Sequence, residues 1–428
     1  SARAMDPASS AGAGDGSDFV CGFSKDEVSR YSRQLLVPEV GVQGQKSIQE
    51  TSFLIVGAGG LGSPAAMYLA GAGVGRLGLV DGDVVDANNL HRQVMHSERT
   101  VGVNKAASGR EACLRVNSSV QVIAHECFFT KDTALELVGG YDVVVDATDN
   151  VVARYLVNDA CVLKNKPLIS GSALRLDGQL TVYHYLRGPC YRCVFPTPPP
   201  QETVTNCSDG GVMGPVPGVI GTLQAMEALK VAMHKPADDV LTGRMLLYDG
   251  AATKFRNIRL RGRDSACAVC GDAPTIRDLS PVPGPSHDGC AAPEKDPLPG
   301  CPELPPAHQA SCSECAVARA SRGERLLVLD VREKIQFEIC HLRGAVSVPL
   351  ADIEKSVPRL EEAAEGCQGV YVICRRGIDS HTAARLLLKL ANEGRFSKDS
   401  AFSRQKIWHV TGGLTAWAKA VDKDLPIY

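Results

Sequence analysis

The 428-residue sequence predicts an α/β protein in two folded parts: a doubly wound, mostly parallel sheet, followed by a smaller α/β domain. Three observations predict it. A four-residue apolar strand runs into a glycine turn and a helix of small residues over 53–73. Short apolar runs then alternate with helical stretches as far as residue 150. Beyond a proline-rich stretch, new apolar strands open at Leu326 and lead to a cysteine loop at Cys374.

Residues 1–24 are rich in Ala, Gly, Ser and Asp and are expected to be disordered. Ser24, with Glu27 three residues on, is a capping box that opens a helix. Arg30 and Arg33 make that helix basic, and its plainest reading is a solvated face. Residues 53–56 form the first strand, and Gly57, Gly59, Gly60 and Gly62 form the turn. Such a turn lets the backbone approach an anion while the free N–H groups of the helix start point at it. The spacing Gly57-x-Gly59-x-x-Gly62 is shared by many folds, and a nicotinamide dinucleotide suits it as well as ATP does.

The second strand, 76–80, ends at Asp81, placed to reach a ribose hydroxyl. Asn88, Asn89, Leu90, His91, Arg92 and Gln93 follow, then Lys105 in a helical run over 104–116. A third strand over 120–125, a helix over 131–138 and a fourth strand over 141–146 lead to Asp149 and Asn150. In such sheets ligands sit at the carboxyl ends of strands, where Asp81, Asp149 and Asn150 fall. Each could instead cap a helix.

Composition narrows the partners. A net charge of −2 gives no reason to expect a globally basic nucleic-acid binder, and no apolar run is long enough for a membrane span. Sixteen cysteines without a leader pattern point to a reducing, cytoplasmic setting, where thiols serve as metal ligands, nucleophiles or core residues. Cys190 and Cys193 form one C-x-x-C pair, and Cys267 and Cys270 another. Together they supply the four thiolates of a structural zinc, although 73 residues separate the pairs. Cys312 and Cys315 lie beside a second capping box, Ser311 with Glu314, and read as structural. The proline-rich stretch 196–217 reads as a long loop. It holds Cys207, either a reactive thiol or an ordinary exposed cysteine. A helix over 221–233 and a strand over 245–248 close the first part.

Residues 276–308 read as a tether, with ten prolines between Pro274 and Pro306. In the domain at 309–428, the strand 370–373 ends at Cys374, and Arg375, Arg376, Gly377, Ile378, Asp379 and Ser380 lead into a helix over 381–393. Backbone N–H donors, a helix dipole and two arginines favour an anionic sulfur and are expected to lower the thiol pKa. Sulfur transfer and phosphate-ester hydrolysis share this geometry. Cysteine phosphatases clamp phosphate with an arginine six residues after the cysteine; that position is Ser380 here, which favours sulfur transfer.

These motifs carry a resemblance. Residues 25–275 resemble the ThiF/MoeB branch of ubiquitin-activating-type adenylyltransferases through residues 57–62, Asp81, 88–93, Lys105, Asp149, Asn150 and the two C-x-x-C pairs. Residues 309–428 resemble a rhodanese domain through residues 330–332, 341–349, the Cys374 loop and 412–414. One chain with both parts has the layout of the eukaryotic enzymes of molybdenum-cofactor synthesis and tRNA 2-thiolation. The resemblance implies a Rossmann-like adenylation domain with a zinc site. It implies ATP with Gly60 at the phosphates, Asp81 on the ribose, Arg92 and Lys105 neutralising phosphate charge, and Asp149 on magnesium. It implies a ubiquitin-like sulfur carrier ending in Gly-Gly as substrate. It further implies Cys374 as the persulfide carrier, loaded by a cysteine desulfurase or thiosulfate source, and Cys207 as a thioester or release cysteine. A homodimer in which Arg33 reaches the partner's ATP site follows from it as well. Ser347 stands where many rhodaneses carry Asn, and His91 where a small residue is common; neither removes a catalytic group.

Overall fold

The computed structural model describes residues 22–198, 210–279, 304–320, 325–397, 400–402 and 406–426. The chain divides into two compact units, one ending at Cys290 and the next beginning at Ala291.

The first unit is built on an eight-stranded sheet with strand order β3-β2-β1-β4-β5-β6-β7-β8. β1 (Ser52–Val56) lies between β2 (Arg76–Val80) and β4 (Val143–Asp146), with β3 (Gln121–His125) and β5 (Leu168–Leu174) outside them, all parallel. Alternate β1 side chains enter two separate cores. Phe53 and Ile55 pack with Leu69, Ala106 and Ala228 on one face, and Leu54 and Val56 with Val138, Leu156 and Ala160 on the other. Helices Gly62–Ala72, Lys105–Val116 and Pro215–Ala232 therefore cover one face, and Lys131–Gly139 and Val151–Leu163 the other. The central strands β1, β2 and β4 are buried on both faces, which is why they read as unbroken apolar runs.

Three strands extend this sheet antiparallel: β6 (Asp177–Tyr183), β7 (Arg244–Asp249) and β8 (Lys254–Arg259). The sequence predicts β7 alone among them. The helix Pro215–Ala232 starts inside the stretch expected to be loop, a correction at its described end. Pro215 occupies the first helical turn, where a missing N–H costs nothing and the fixed φ suits the helix. Prolines thus marked a helix start there, not a break.

The second unit is a five-stranded sheet, all parallel, in the order β11-β10-β12-β13-β9. Its strands are β9 (Gln309–Ala310), β10 (Leu326–Asp330), β11 (Val346–Ser347), β12 (Gly369–Ile373) and β13 (Ile407–Val410). Central β12 is buried at every residue and delivers Cys374 to its carboxyl end. Asp330, at the end of β10, holds Arg332 in a fully buried ion pair, and Arg332 also donates to the Cys340 carbonyl (2.7 Å). Ser311 and Glu314 close the capping box of helix Cys312–Ala320, and Cys312 and Cys315 are core residues. Among the described residues, no helix is long and apolar enough to cross a membrane.

Candidate functional site

The glycine turn after β1 is set by backbone contact. Gly57 has φ +100°, and a Cβ there would lie 2.7 Å from the Ala147 carbonyl oxygen; one on Gly62 would lie 2.0 Å from that of Gly57. Gly60 packs on Pro217 and the Arg92 stem, so a Cβ would press on both at 3.2 and 3.4 Å. These approaches seat the start of helix Gly62–Ala72 directly beneath the turn.

Asp81 anchors the turn from β2. Its Oδ2 accepts from Ala58 N–H (2.8 Å) and its Oδ1 from Asp83 N–H (2.9 Å). Lys105, at the first position of its helix, is buried and donates to Asp83 Oδ2 (2.9 Å). Burial pushes the Asp81 carboxyl up, against the pull of Lys105 and the two N–H groups. Burial acts to lower Lys105, yet the charges of Asp81, Asp83 and Asp149 outweigh it and its pKa is raised. Both values rise, but for opposite reasons: burial wins at Asp81, which is deeply enclosed with one cation, and charge wins at Lys105, which collects three carboxylates. The result is a fixed ammonium among acids at the end of the sheet.

Asp149 is exposed beyond β4, and Asn150 caps helix Val151–Leu163 by accepting from Ala153 N–H (2.7 Å). The capping alternative therefore holds for Asn150. Asn88 and Asn89 lie in a short 3-10 turn held by Asp86. The Asn88 carbonyl accepts from Arg92 (3.2 Å) and bonds His91 Nδ1 (2.8 Å), and Leu90 is half-buried between them in sequence. Arg33 is exposed on helix Lys25–Leu35. Cys207 lies outside the described residues.

Three supports escaped the sequence reading. Asp83, rather than Asp81, forms the ion pair with Lys105; its place two residues past the strand end was the available signal. His96 is buried behind the turn, bonding the Ala58 carbonyl through Nε2 (2.9 Å) and Ser108 through Nδ1 (2.9 Å). Asp146, at the end of β4, is fully buried and accepts from Arg154, Thr148 and Ser170. A lone His and an Asp inside an apolar run carry no periodic signal that would reveal such partners.

Cys190, Cys193, Cys267 and Cys270 converge, with all four sulfurs within 4.8 Å of one another. Pair distances are 3.7 Å (Cys190–Cys193), 3.6 Å (Cys190–Cys267) and 3.3 Å (Cys193–Cys270). A tetrahedral metal thiolate with bonds of about 2.3 Å places its sulfurs about 3.8 Å apart, so the set fits. The Asp264 N–H donates to Cys193 Sγ (3.4 Å), a contact that favours thiolate. A Cβ on Gly271 would lie 2.4 Å from the Cys267 carbonyl, so this glycine lets the second pair turn tightly.

In the second unit, Cys374 is 1% exposed at the end of β12. Its sulfur accepts from Gly377 N–H (3.1 Å) and donates to Ser380 Oγ (3.4 Å). Helix Ile378–Asn392 begins three residues earlier than predicted, which brings its first turn against the sulfur. Asp379 and Ser380 belong to that turn, while Arg375 and Arg376 are half-buried. Gly377 needs its φ of +94°, and Gly413 approaches so closely that a Cβ would lie 2.3 Å from the Cys374 carbonyl. The expectation of a lowered thiol pKa is corrected here. Burial pushes the Cys374 thiol up, with Asp379 adding to the rise, and the contacts to Ser380 and Gly377 offset only part of it.

Residues 31–269 match the ThiF family, and residues 315–420 match the rhodanese-like domain. An adenylyltransferase and sulfurtransferase MOCS3 from Anopheles gambiae is 48% identical over 410 residues, covering 95% of this chain and 90% of that protein. The chain belongs to the adenylyltransferase and sulfurtransferase family. Family proteins of the same name from Danio rerio (45%) and Mus musculus (46%) each span 95% of this chain and 88% of their own length. The crystal structure of E. coli MccB aligns with a TM-score of 0.51 at 24% identity, over 57% of this chain and 73% of that one, and shows the fold of the first unit. Within this adenylyltransferase and sulfurtransferase, the ThiF match holds the glycine turn, Asp81, Lys105 and all of Cys190, Cys193 and Cys267. Cys270 lies one residue beyond it. The rhodanese-like match holds Cys374 and its loop.

Proposed function

We propose that the enzyme adenylates the C-terminal glycine of a ubiquitin-like sulfur carrier and then converts it to a thiocarboxylate with sulfur carried on Cys374. The observation that supports this most is the pairing, within one family chain, of a glycine turn flanked by Asp81 and Lys105 with a cysteine seated in an N–H cradle. ATP would lie at the turn, with Gly60 at its phosphates and Asp81 at its ribose. Asn88, Asn89, Leu90, His91 and Asn150 would line the nucleotide, Arg92 and Lys105 would stabilise charge on the displaced phosphates, and Asp149 would hold magnesium. The carrier carboxylate attacks the α-phosphate, pyrophosphate leaves, and an acyl-adenylate forms. A Cys374 persulfide then attacks the activated carbonyl and AMP leaves. A thiol attacks the Cys374 sulfur of the resulting acyl disulfide, so that its S–S bond breaks, the carrier thiocarboxylate departs and a disulfide to Cys374 remains for an external thiol to reduce. Arg375, Arg376, Gly377, Asp379 and Ser380 would shape the loop that admits the sulfur donor.

Zinc is our assignment for the four-cysteine cluster, where it would tie 190–193 to 267–270. Cys207 forms a carrier thioester or assists release from Cys374, and Arg33 serves the ATP site of a second copy. We assign segments 25–275 and 309–428 to the two activities and 276–308 to the tether. The enzyme would work in the cytoplasm, without membrane or direct nucleic-acid contact, supplying tRNA 2-thiolation and molybdopterin synthesis. The test is pyrophosphate exchange with purified carrier. Carrier-dependent entry of labelled pyrophosphate into ATP is expected; nicotinamide binding without exchange would replace this reading with an oxidoreductase, and thiocarboxylate formation by Asp149→Ala would reduce the first unit to a docking scaffold.

A further inference from the structure

A buried hydrogen-bonded chain runs away from Cys374 into the second unit, and sulfur transfer as described leaves its far end without a role. Cys374 Sγ donates to Ser380 Oγ at 3.4 Å, and Ser380 Oγ lies 3.0 Å from His409 Nδ1. Ser380 is fully buried, and His409 on β13 is 4% exposed. With the thiol proton directed at Oγ, the hydroxyl's own proton has two acceptors: the Gly377 carbonyl (3.2 Å) and His409 Nδ1. A carbonyl can accept that hydrogen bond but cannot keep the proton. An imidazole nitrogen can take it up transiently and hand it back.

We propose that Ser380 and His409 form a proton relay that removes the Cys374 thiol proton while the sulfur attacks a sulfane donor. The proposal rests on the sulfurtransferase reading of this loop. Ser380 touches the reacting sulfur, and His409 acts through Ser380 as a positioning residue. With thiosulfate, the thiol proton passes to Ser380 as the serine proton passes to His409 Nδ1. A sulfur lone pair attacks the outer sulfur of thiosulfate, the S–S bond breaks, and its electron pair leaves on sulfite. The proton returns along the same path to the new terminal sulfur, giving Cys374–S–SH and sulfite.

Burial makes such a path useful. It pushes the thiol up, so little thiolate preforms, and it pushes His409 down to about 4, so the ring is neutral and open as an acceptor near neutrality. His381, packed edge-on at 5.3 Å from helix Ile378–Asn392, adds to the lowering of His409, and Asp379 from the same helix raises the thiol. Gly377 keeps the histidine close: a Cβ there would lie 3.4 Å from His409 Cε1.

The test is single-turnover formation of the Cys374 persulfide from thiosulfate, followed by peptide mass spectrometry on the full chain across a pH series. Ser380→Ala and His409→Gln are expected to slow it tenfold or more near about pH 7, with the deficit closing in alkali as solvent ionises the thiol. Ser380→Thr, which keeps the hydroxyl, is expected to retain most of the rate. A deficit that is the same at every pH, or no deficit, would overturn the relay. The wild type also decides, whatever the variants' stability: the relay requires a solvent deuterium isotope effect on this step, and an effect of unity contradicts it. A wild type that forms no Cys374 persulfide would overturn the sulfurtransferase reading and the relay together.

Discussion

The two strand-turn-helix sites of this chain share a plan and differ in how they handle charge. Both sit at the carboxyl end of a parallel strand, β1 in one unit and β12 in the other, and both require glycines where backbones nearly touch. At the first, charged side chains do the organising: Asp81 braces the turn through Ala58 N–H, and Lys105 stands among Asp81, Asp83 and Asp149. At the second, the cysteine is enclosed by neutral donors and acceptors, namely Gly377 N–H, Ser380 and a neutral His409. A site that must meet a polyphosphate carries standing charge. At the second site the sulfur's hydrogen-bond partners are neutral, burial dominates its pKa, and the charge of Asp379 acts only to raise it further.

Separate disabling of the two sites gives the largest effects. Cys374→Ala should abolish thiosulfate sulfurtransferase activity and leave carrier-dependent pyrophosphate exchange intact, because the glycine turn belongs to the first unit and Cys374 to the second. Lys105→Ala should do the reverse, lowering exchange by about a hundredfold or more through lost phosphate stabilisation, with sulfurtransferase turnover unchanged. Loss of both activities in either variant would contradict the division of labour.

Two stability measurements sharpen the comparison. Gly62→Ala places a methyl 2.0 Å from the Gly57 carbonyl oxygen and should destabilise the first unit by about 1–3 kcal/mol, read as a lower melting transition for that unit alone. Replacing Cys193 with Ser, or adding a strong chelator, should likewise lower the first unit's transition, with the released metal measured directly; an unchanged transition and no metal would reject the zinc assignment.

The smallest effect concerns pH. The folded-state pKa of His409 is held down at about 4 by burial, below the ordinary histidine value of 6.5, so the unfolded chain binds more protons between those values. Stability from keeping this ring neutral is fully present above 6.5 and falls as pH drops toward 4. The second unit's melting temperature should decline over that window, and His409→Gln should flatten the decline.

How much the sequence disclosed depends on how each residue is used. β1, β2 and β4 are covered on both faces, so their apolar runs were plain, and the glycines between them admit few alternatives. β8 (Lys254–Arg259) is exposed at every residue and has no hydrophobic pattern, so only pairing with β7 reveals it. The prolines at 215 and 217 read as loop because proline suits a loop and a helix's first turn equally well, and only the apolar helix beyond them decides between the two. Cys374 was legible, but its environment was not: arginines adjacent in sequence implied a lowered thiol pKa, whereas burial dominates. In the sequence Ser380 shows only as an absent arginine, and its partner His409 lies on β13, 29 residues away.

The most direct measurement is the intact mass of the carrier protein after incubation with the enzyme, ATP and thiosulfate. The account predicts a mass increase corresponding to one oxygen replaced by sulfur at the carrier's C-terminus, dependent on ATP and lost in Cys374→Ala. A carrier that is adenylated and consumed without that replacement would contradict it and point to conjugation instead.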